Sequence, residues 1–506
     1  MRLHDMLNRA AELHPARPAI VDGPLRRSYA DTAKRVRRLA AGLLARAGRP
    51  GAHVAILARN SHRFFETYFA CAAAGLVAVP LNIRLAPAEL GFVLDDAEAC
   101  MVLGDADLLA TIPGTLPRIS FDDPAGYEQL IATAPEGFAP PPGDDAALAH
   151  LCYTGGTTGR PKGVMLSHRN VATSALNKIR LGDFREDDVW LHAAPMFHQA
   201  DSWAVFSFTQ LGATHVFTPK FDAARLLDLI ETHAITATQI VPTMLFLLLE
   251  RPDLGARRLG SLRRILYGSA PMPLARLGAA IERFGPIFQH IYGQTESAGT
   301  MTATEVSALR EWVARADPRL ASCGRAVPGV EVKVTDAAGD PLPAGTVGRI
   351  HARGPTVMAG YWKRPEDTRA ALRTGWLDTG DLGRMDGEGY LTIVDRAKDM
   401  ILSGGENVYS AEVEDALCAH PSVAEAAVIG LPDEKWGEAV AAIVTLAPNA
   451  AVDEAALIAH CRARIAGYKC PRTVTIVEAL PKSAAGKVLK AELRAQFSRS
   501  SIRPCT

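Results

Sequence analysis

The sequence lacks a surplus of charge of either sign. Its 55 Lys and Arg residues balance 55 Asp and Glu residues. Binding to a nucleic-acid backbone relies on a basic surface, and this composition offers no basic excess to build one. We therefore expect no nucleic-acid partner.

The sequence also lacks paired cysteines and long apolar runs. Its eight cysteines are scattered without a Cys-x-x-Cys pair, so neither a zinc site nor a disulfide framework is predicted. No apolar run approaches the roughly 18 residues of a membrane span, and residues 1–20 lack the apolar core of a secretory signal. We expect a cytoplasmic protein with reduced thiols and no membrane span.

With 506 residues, the chain is long enough for at least two domains. Residues 53–81 and 213–241 each read as strand, helix, strand, which predicts an α/β fold of parallel sheets flanked by helices. Alternating residues over 330–352 indicate a small antiparallel β unit. A fresh α+β pattern follows the charged run at Asp395, so we predict a large domain over 1–394 and a small domain over 395–506.

A loop rich in glycine and threonine is the most informative stretch: Tyr153-Thr154-Gly155-Gly156-Thr157-Thr158-Gly159-Arg160-Pro161-Lys162-Gly163. Glycines let backbone N–H groups turn toward an anion, while threonine hydroxyls and a lysine add donors and charge. It is not a Walker loop, because Lys162 is followed by Gly163 and not by Ser or Thr. A surface turn is the competing interpretation for any short Gly-rich fragment, but eleven consecutive fitting residues favour a phosphate site.

Four further segments, taken together with this loop, resemble the motifs of a known family. They are Pro195-Met196-Phe197-His198, Tyr292-Gly293-Gln294-Thr295-Glu296, Gly375-Trp376-Leu377-Asp378-Thr379-Gly380-Asp381 and Pro481-Lys482-Ser483-Ala484-Ala485-Gly486-Lys487. With the loop, they resemble the adenylate-forming superfamily of acyl-CoA synthetases, luciferases and peptide-synthetase adenylation domains, in that family's order. The resemblance implies a large N-terminal domain and a small mobile C-terminal domain. Gly156 stands where the family usually has serine, which puts the affinity for triphosphate in doubt.

The resemblance implies an ATP site. Its nucleotide contacts would be Thr154, Gly155, Gly156, Thr157, Thr158, Gly159, Lys162, Ser269, Ala270, Pro271, Tyr292, Gly293, Asp381 and Arg396. Lys487 would be the catalytic cation between carboxylate and α-phosphate, Thr295 would contact phosphate, and Glu296 would hold Mg²⁺. Considered apart from the motifs, Lys487 would be interpreted as a solvated surface residue. Tyr292 would be interpreted as a core residue and Asp381 as a turn residue. We expect Lys490 to be solvated.

The resemblance also assigns the hinge and the two remaining substrate sites. Asp395 would be the hinge on which the small domain turns between two poses. Contacts for CoA would come from Arg84, Gly404, Gly405, Trp436, Tyr468 and Arg472. His198 would lie between the acyl pocket and the adenylate, and Trp203 would gate the pocket near Phe206 and Phe208. For Trp203, Phe206, Phe208 and Trp436, core packing is the alternative, and for His198 a purely structural role.

These assignments predict an ATP- and Mg²⁺-dependent acid:CoA ligase. A fatty acid is the first substrate class expected, and an aryl or arylpropenoic acid is the second. Loading of a carrier-protein thiol is an alternative, less favoured because no extra segment separates Asp395 from Lys487. A binding protein without turnover would be expected to have lost Lys487, Glu296 or Lys162, and a luciferase-type oxygenase would share every motif. The oligomeric state stays open, a homodimer included.

Overall fold

A computed structural model describes residues 1–135, 137–154, 161–270, 272–404, 406–433, 435–483 and 486–500. The helices are α1 (Leu3–Leu13), α2 (Tyr29–Ala47), α3 (His62–Ala74), α4 (Pro87–Asp96), α5 (Ala106–Leu109), α6 (Gln129–Ala132), α7 (His168–Gly182), α8 (Ser202–Leu211), α9 (Ala223–His233), α10 (Pro242–Leu249), α11 (Leu274–Phe284), α12 (Val306–Arg315), α13 (Pro365–Ala371), α14 (Ser410–Cys418), α15 (Glu454–Arg462) and α16 (Lys490–Ser500).

The strands are β1 (Pro18–Asp22), β2 (Leu25–Ser28), β3 (His53–Leu57), β4 (Val77–Pro80), β5 (Ala99–Gly104), β6 (Arg118–Ser120), β7 (Leu148–Thr154), β8 (Lys162–Ser167), β9 (Val189–His192), β10 (Thr214–Phe217), β11 (Ala237–Ile240), β12 (Arg264–Gly268), β13 (Phe288–Tyr292), β14 (Thr302–Ala303), β15 (Arg325–Ala326), β16 (Glu331–Thr335), β17 (Gly348–Arg353), β18 (Gly360–Tyr361), β19 (Leu372–Arg373), β20 (Trp376–Met385), β21 (Leu391–Arg396), β22 (Ile401–Ser403), β23 (Glu406–Val408), β24 (Val423–Asp433), β25 (Gly437–Leu446) and β26 (Thr473–Ile476).

The first predicted strand–helix–strand unit is β3, α3 and β4. Ser61 caps α3 by accepting a hydrogen bond from the N–H of Phe64, and Gly75 ends the helix with a φ of 67°, a conformation that favours glycine. Strands β3 and β4 pair in parallel. They belong to a seven-stranded sheet of order β18-β8-β7-β4-β3-β5-β6, so the predicted parallel sheet is confirmed.

The second unit, β10, α9 and β11, contributes to a nine-stranded sheet of order β15-β14-β13-β12-β11-β9-β10-β1-β2. Here β10 and β11 do not pair with each other, because β9 lies between them and pairs in parallel with both. One continuous apolar core joins α1, α2, α3 and α7 with strands of both large sheets.

The alternating segment over 330–352 forms the antiparallel pair β16 and β17, as predicted, within a third sheet that also contains β19, β20 and β21. Asp395 lies at the end of β21, opposite Leu382 of β20. The fourth sheet, β22 to β26, packs with α14, α15 and α16. The chain is thus α/β with a smaller α+β portion after β21. None of the helices in the described ranges is long and apolar enough to cross a membrane.

Candidate active site

The ends of the adjacent parallel strands β12 and β13 form one wall of the candidate site. A Cβ added to Gly268 would lie 2.3 Å from the Ile291 carbonyl oxygen, so glycine lets β12 approach β13 closely. Ser269 follows with a φ of 68°, which turns the chain sharply away from the sheet. The predicted nucleotide residues Ser269, Ala270 and Tyr292 therefore lie beside one another at the carboxyl edge, where open α/β sheets bind ligands.

Asp381 lies at the centre of the ribose side predicted from the sequence. Its Oδ2 accepts hydrogen bonds from the Tyr292 hydroxyl at 2.7 Å and from Gln294 Nε2 at 2.9 Å. Its Oδ1 pairs with Arg396 Nε at 2.7 Å. The carboxylate side chain is only 5% exposed, against 39% for Arg396. Asp381, Tyr292 and Arg396 thus meet, together with Gln294, for which the sequence predicted no role.

Tyr292 is buried, as the core-packing alternative predicted, and its stacking on adenine stays a prediction. Its ring is buried, and burial, reinforced by the Asp381 carboxylate, raises the pKa of Tyr292 well above its usual value. The hydroxyl is therefore a proton donor to Asp381 at neutral pH. Gly293 follows directly, and a Cβ there would lie 2.4 Å from the backbone of Gly299, so only glycine fits.

The phosphate side is organised around Tyr361, a residue missed by the sequence reasoning. Glu296, in the short 3₁₀ turn Thr295–Ser297, accepts a hydrogen bond from the Tyr361 hydroxyl at 2.9 Å. Lys162 Nζ lies 5.3 Å from the Tyr361 ring centroid and pairs with Asp367 at 2.6 Å. Lys162 and Glu296, predicted to bind phosphate and Mg²⁺, therefore share one neighbour. Tyr361 has no sequence signal, because it lies outside the family segments.

Seven predicted site residues lie outside the described residues: Gly155, Gly156, Thr157, Thr158 and Gly159 of the phosphate loop, Pro271 of the adenine wall, and Gly405 of the CoA site. Thr154 ends β7, and Lys162 begins β8, which pairs with it antiparallel. The two described ends of the loop are therefore adjacent.

Lys487 lies on a short loop that contacts the large portion of the chain, the residues before Asp395. Its N–H donates to Ser483 Oγ at 3.2 Å, and Ser483 N–H donates to the Lys487 carbonyl at 2.7 Å. A Cβ on Gly486 would lie 3.1 Å from Thr243 Oγ1 of α10, so this loop contacts the large portion closely. Burial, together with nearby Arg396, lowers the pKa of Lys487 to about 8, while Asp381 and Glu296 oppose the shift.

His198 lies near the same ammonium group. Burial, followed by the charge of Lys487, lowers the pKa of His198 to about 4, so its ring is neutral at pH 7. His198 Nδ1 accepts a hydrogen bond from the N–H of Ala200 at 3.1 Å, which leaves Nε2 as the protonated nitrogen. The ring can thus donate one hydrogen bond beside Lys487.

The expectation that Lys490 is solvated is wrong. Its side chain is 16% exposed, and Nζ pairs with Glu414 at 2.7 Å and donates to Ser410 Oγ at 2.5 Å. Ser410 Oγ in turn donates to Asp395 Oδ2 at 2.8 Å. Burial favours this pairing because an isolated buried ammonium group is costly. The predicted hinge residue is therefore tied to the start of α16, three residues beyond Lys487.

Trp203 packs as a core residue, the alternative that the sequence left open. Its side chain is 1% exposed, its ring centroid lies 5.0 Å from that of Trp190 in a T-shaped contact, and its Nε1 donates to Gln239 Oε1 at 2.8 Å. Phe206 and Phe208 are fully buried as well.

On the predicted CoA side, three of the residues form one cluster. Gly404 N–H donates to the Trp436 carbonyl at 2.8 Å, and a Cβ on Gly404 would lie 2.7 Å from the Trp436 ring. The Arg472 guanidinium lies 4.1 Å from the centroid of that ring. Tyr468 is 45% exposed on the same portion of the chain, while Arg84 lies after β4, its N–H donating to Asn82 Oδ1.

Known proteins match this chain along most of its length. Residues 7–362 match the AMP-binding enzyme family, and residues 412–487 match the AMP-binding enzyme C-terminal domain. A feruloyl-CoA synthase of Amycolatopsis sp is 39% identical, covering 97% of this chain and 98% of its own. A long-chain-fatty-acid–CoA ligase of Mycobacterium tuberculosis is 37% identical, covering 97% and 98%.

Among solved structures, ATP-bound MatB from Rhodopseudomonas palustris superposes with a TM-score of 0.90 at 34% identity, covering 98% of this chain and 99% of its own. The fold, the matched families and the similar proteins agree over both portions of the chain. The chain therefore belongs to the adenylate-forming family of AMP-binding enzymes, as an AMP-forming acid:CoA ligase.

Proposed function

We propose that this ligase activates a compact aryl or arylpropenoic acid with ATP and transfers the acyl group to CoA. The observation that carries the ligase reaction is the buried position of Lys487, whose pKa is influenced by the charges of Asp381, Glu296 and Arg396 and whose own charge lowers the pKa of His198. A cation there can reach both a carboxylate and the innermost phosphate of a nucleotide held by Asp381.

In the first half-reaction, a carboxylate oxygen of the acid attacks the α-phosphorus of ATP. The bond from that phosphorus to the bridging oxygen breaks, and pyrophosphate leaves with the electron pair. Two anions must meet, so catalysis depends mainly on charge neutralisation and alignment. Lys487 neutralises charge at the meeting point, and the Nε2–H of neutral His198 orients the carboxylate.

In the second half-reaction, the CoA sulfur attacks the acyl carbon, the thiol gives up its proton, and AMP leaves. Both half-reactions act on the same carboxyl group at one site. The portion of the chain after Asp395 must therefore present the Lys487 loop in the first step and a CoA-binding face in the second. The cluster of Gly404, Trp436 and Arg472 is the face we assign to CoA. Its glycine permits close backbone approach, and its arginine can contact phosphate.

Glu296 is the residue we assign to Mg²⁺. Within the described ranges, no group of three or more His, Cys, Asp or Glu side chains could hold an ion unaided. Mg²⁺ fits a single carboxylate, because it keeps several waters and takes substrate phosphates as ligands. When bound, it would neutralise phosphate charge. Tyr361 orients the Glu296 carboxylate for that purpose.

The packing of Trp203 supports a compact acid over a long alkyl chain. The Trp203 ring, which the resemblance places at the gate of the acyl pocket, packs with Trp190, Phe184 and Phe208. A compact acid would require less displacement of this aromatic cluster than a long alkyl chain. The similarity to the feruloyl-CoA synthase supports the same class.

A fatty acid is the second candidate, favoured by the 37% identity to the long-chain-fatty-acid–CoA ligase. Free CoA is proposed over a carrier protein, as expected from the absence of an extra segment between Asp395 and Lys487. A cytoplasmic location is proposed as well, since the seven described cysteines are unpaired thiols, as in reducing compartments.

The test is pyrophosphate release across a panel of aliphatic, aryl and arylpropenoic acids, with and without CoA. We expect release with arylpropenoic acids and thioester formation when CoA is present. Faster release with long alkyl acids would move the assignment to the second candidate. Release in the presence of CoA without a thioester would indicate a carrier protein.

A further inference from the structure

Lys178 on α7 is a buried cation to which the proposed mechanism assigns no role. Its side chain is 2% exposed. Its Nζ lies 3.4 Å from Ser174 Oγ and 4.7 Å from the centroid of the Trp203 ring. Among the described residues, no carboxylate lies within salt-bridge distance of this ammonium group. A lysine carries three N–H donors, and a hydroxyl at 3.4 Å is a weak partner for only one of them.

Such a group is costly, because a buried charge loses its hydration, and a weak hydrogen bond and a contact with the Trp203 ring compensate for that loss only in part. Burial accordingly lowers the pKa of Lys178 well below its usual value. Two partly buried cations elsewhere in the described residues, by contrast, each meet a carboxylate. Lys490 meets Glu414 at 2.7 Å, and Arg35 meets Glu66 at 2.9 Å. Core packing alone would be served better by an apolar side chain of the same length, so Lys178 calls for a ligand.

The position of Lys178 relative to the reaction site points to what that ligand is. A Cβ on Gly299 would lie 3.5 Å from Lys178 Nζ and 3.2 Å from the carbonyl oxygen of Gln199. Gly299 stands three residues after Glu296, and Gln199 directly follows His198. Lys178 therefore lies next to two segments of the site, the one that carries Glu296 on the phosphate side and the one that carries His198 on the carboxylate side.

Gly299 has a φ of 81°, a conformation that favours glycine. A Cβ at this position would fill the space that separates Gln199 from Lys178. Ser174 fixes the same segment, since its hydroxyl donates to the Ala298 carbonyl at 2.7 Å. The amine of Lys178 thus lies beside Gln199, the residue that directly follows His198, and beside Gly299, which follows Glu296 closely in sequence.

We propose that Lys178 is a specificity-determining residue, which binds a hydrogen-bond-accepting oxygen at the far end of the acid. A phenol oxygen and a second carboxylate share that chemistry. The inference rests on the proposed function, because it takes the acid to be a rigid one that spans from Lys487 to Lys178. An unsubstituted alkyl or phenyl end would leave the buried donors unsatisfied, and sites of that kind discriminate strongly against the analogue that lacks the oxygen.

The experiment measures kcat/KM for pyrophosphate release with cinnamic, 4-hydroxycinnamic, 4-carboxycinnamic and decanoic acids. We expect the wild type to prefer at least one of the two para-oxygenated acids over cinnamic acid by about 10- to 100-fold, as for a hydrogen bond to a charged group. The preferred acid of the two identifies the source of the oxygen. In Lys178→Met the preference should fall to near unity, with activity on cinnamic acid retained.

Lys34→Met, an exposed lysine on α2, is the matched control and should keep the wild-type preference. Thermal unfolding should show Lys178→Met to be at least as stable as the wild type, because an apolar side chain replaces a buried amine that lacks a carboxylate partner. An unchanged preference in Lys178→Met would overturn the inference, and so would a wild type that prefers cinnamic or decanoic acid. If the wild type released pyrophosphate with none of the acids, the proposed function itself would fall.

Discussion

We propose that the side chain of Lys487 serves only the first of the two half-reactions. Lys487→Ala should lower the rate of pyrophosphate release by about 100-fold or more, a typical loss for one stabilising group at a reacting centre. Conversion of preformed acyl-AMP with CoA should stay within about threefold of the wild type, since the Lys487 loop must leave for CoA to enter. Rapid-quench assays of the separate steps measure both.

The matched control for this variant is Lys482→Ala. Lys482 lies on the same loop but pairs with Glu425 at 2.7 Å, a partly exposed surface pair of the kind that contributes little. Both half-reactions should be nearly unchanged in this control. Equal losses of the two steps in Lys487→Ala would contradict the division of labour.

The pKa of Lys487 predicts a pH dependence of the first step. Burial lowers this pKa to about 8, and only the protonated amine can neutralise the meeting anions. Above pH 8 the free enzyme loses that proton, so kcat/KM for pyrophosphate release should fall as pH rises through this value. The groups that face Lys487 are Arg396, Asp381, Glu296, Lys398 and His198. His198, with a pKa of about 4, does not titrate in this range.

A pH–rate profile from pH 6 to 10 checks this prediction. The thioester step from preformed acyl-AMP provides the internal control, because it does not use the Lys487 ammonium group. A first step that stays flat to pH 10 would mean that the lysine remains charged in the free enzyme.

At the scale of elements, three strands from two sheets meet at Asp381. β20 carries Asp381, β21 carries Arg396, and Tyr292 ends β13 of the nine-stranded sheet. Asp381→Asn would remove the charge from a carboxylate that is 5% exposed and has three donors. Hydrogen bonds to charged groups contribute about 1.5–3 kcal/mol, so KM for ATP should rise by about 10- to 100-fold.

Asp378→Asn is the control on the same strand. Asp378 pairs with Arg349 at 2.9 Å and is 21% exposed, away from Tyr292, and its loss should leave KM for ATP within about twofold. Steady-state kinetics with ATP as the varied substrate compares the two. Similar KM values for both variants would remove Asp381 from the nucleotide site.

The same elements show how much of the fold and of the site can be predicted from a single sequence. The units β3-α3-β4 and β10-α9-β11 were predicted because apolar periodicity is local. The insertion of β9 between β10 and β11 was not, because strand order depends on contacts between distant segments. The family segments likewise predicted Asp381 and Lys487. Tyr361, Lys490 and Lys178 were missed or misjudged, since burial and pairing partners are properties of the folded chain.

At the scale of the whole molecule, the small portion is held against the large one with Lys487 inserted. Arg276 of α11 donates to the Ala424 carbonyl of β24 at 3.3 Å, and the Gly486 loop meets Thr243. Contacts of this kind are weak, so we expect the small portion to leave and return during each turnover. The torsions near Asp395 are where we expect the movement to be taken up.

Asp395→Pro therefore tests the movement itself. Proline fixes φ near −65°, so it should slow thioester formation from preformed acyl-AMP by at least about tenfold more than it slows pyrophosphate release. The substitution also removes the Asp395 hydrogen bonds to Ser410. Asp395→Ala removes those hydrogen bonds without fixing φ. A loss of rate that is caused only by the missing hydrogen bonds should therefore be equal in the two variants. The two half-reactions are measured separately, and thermal unfolding checks that each variant folds. Equal ratios of the two rates in Asp395→Pro and Asp395→Ala would place the pivot at another residue.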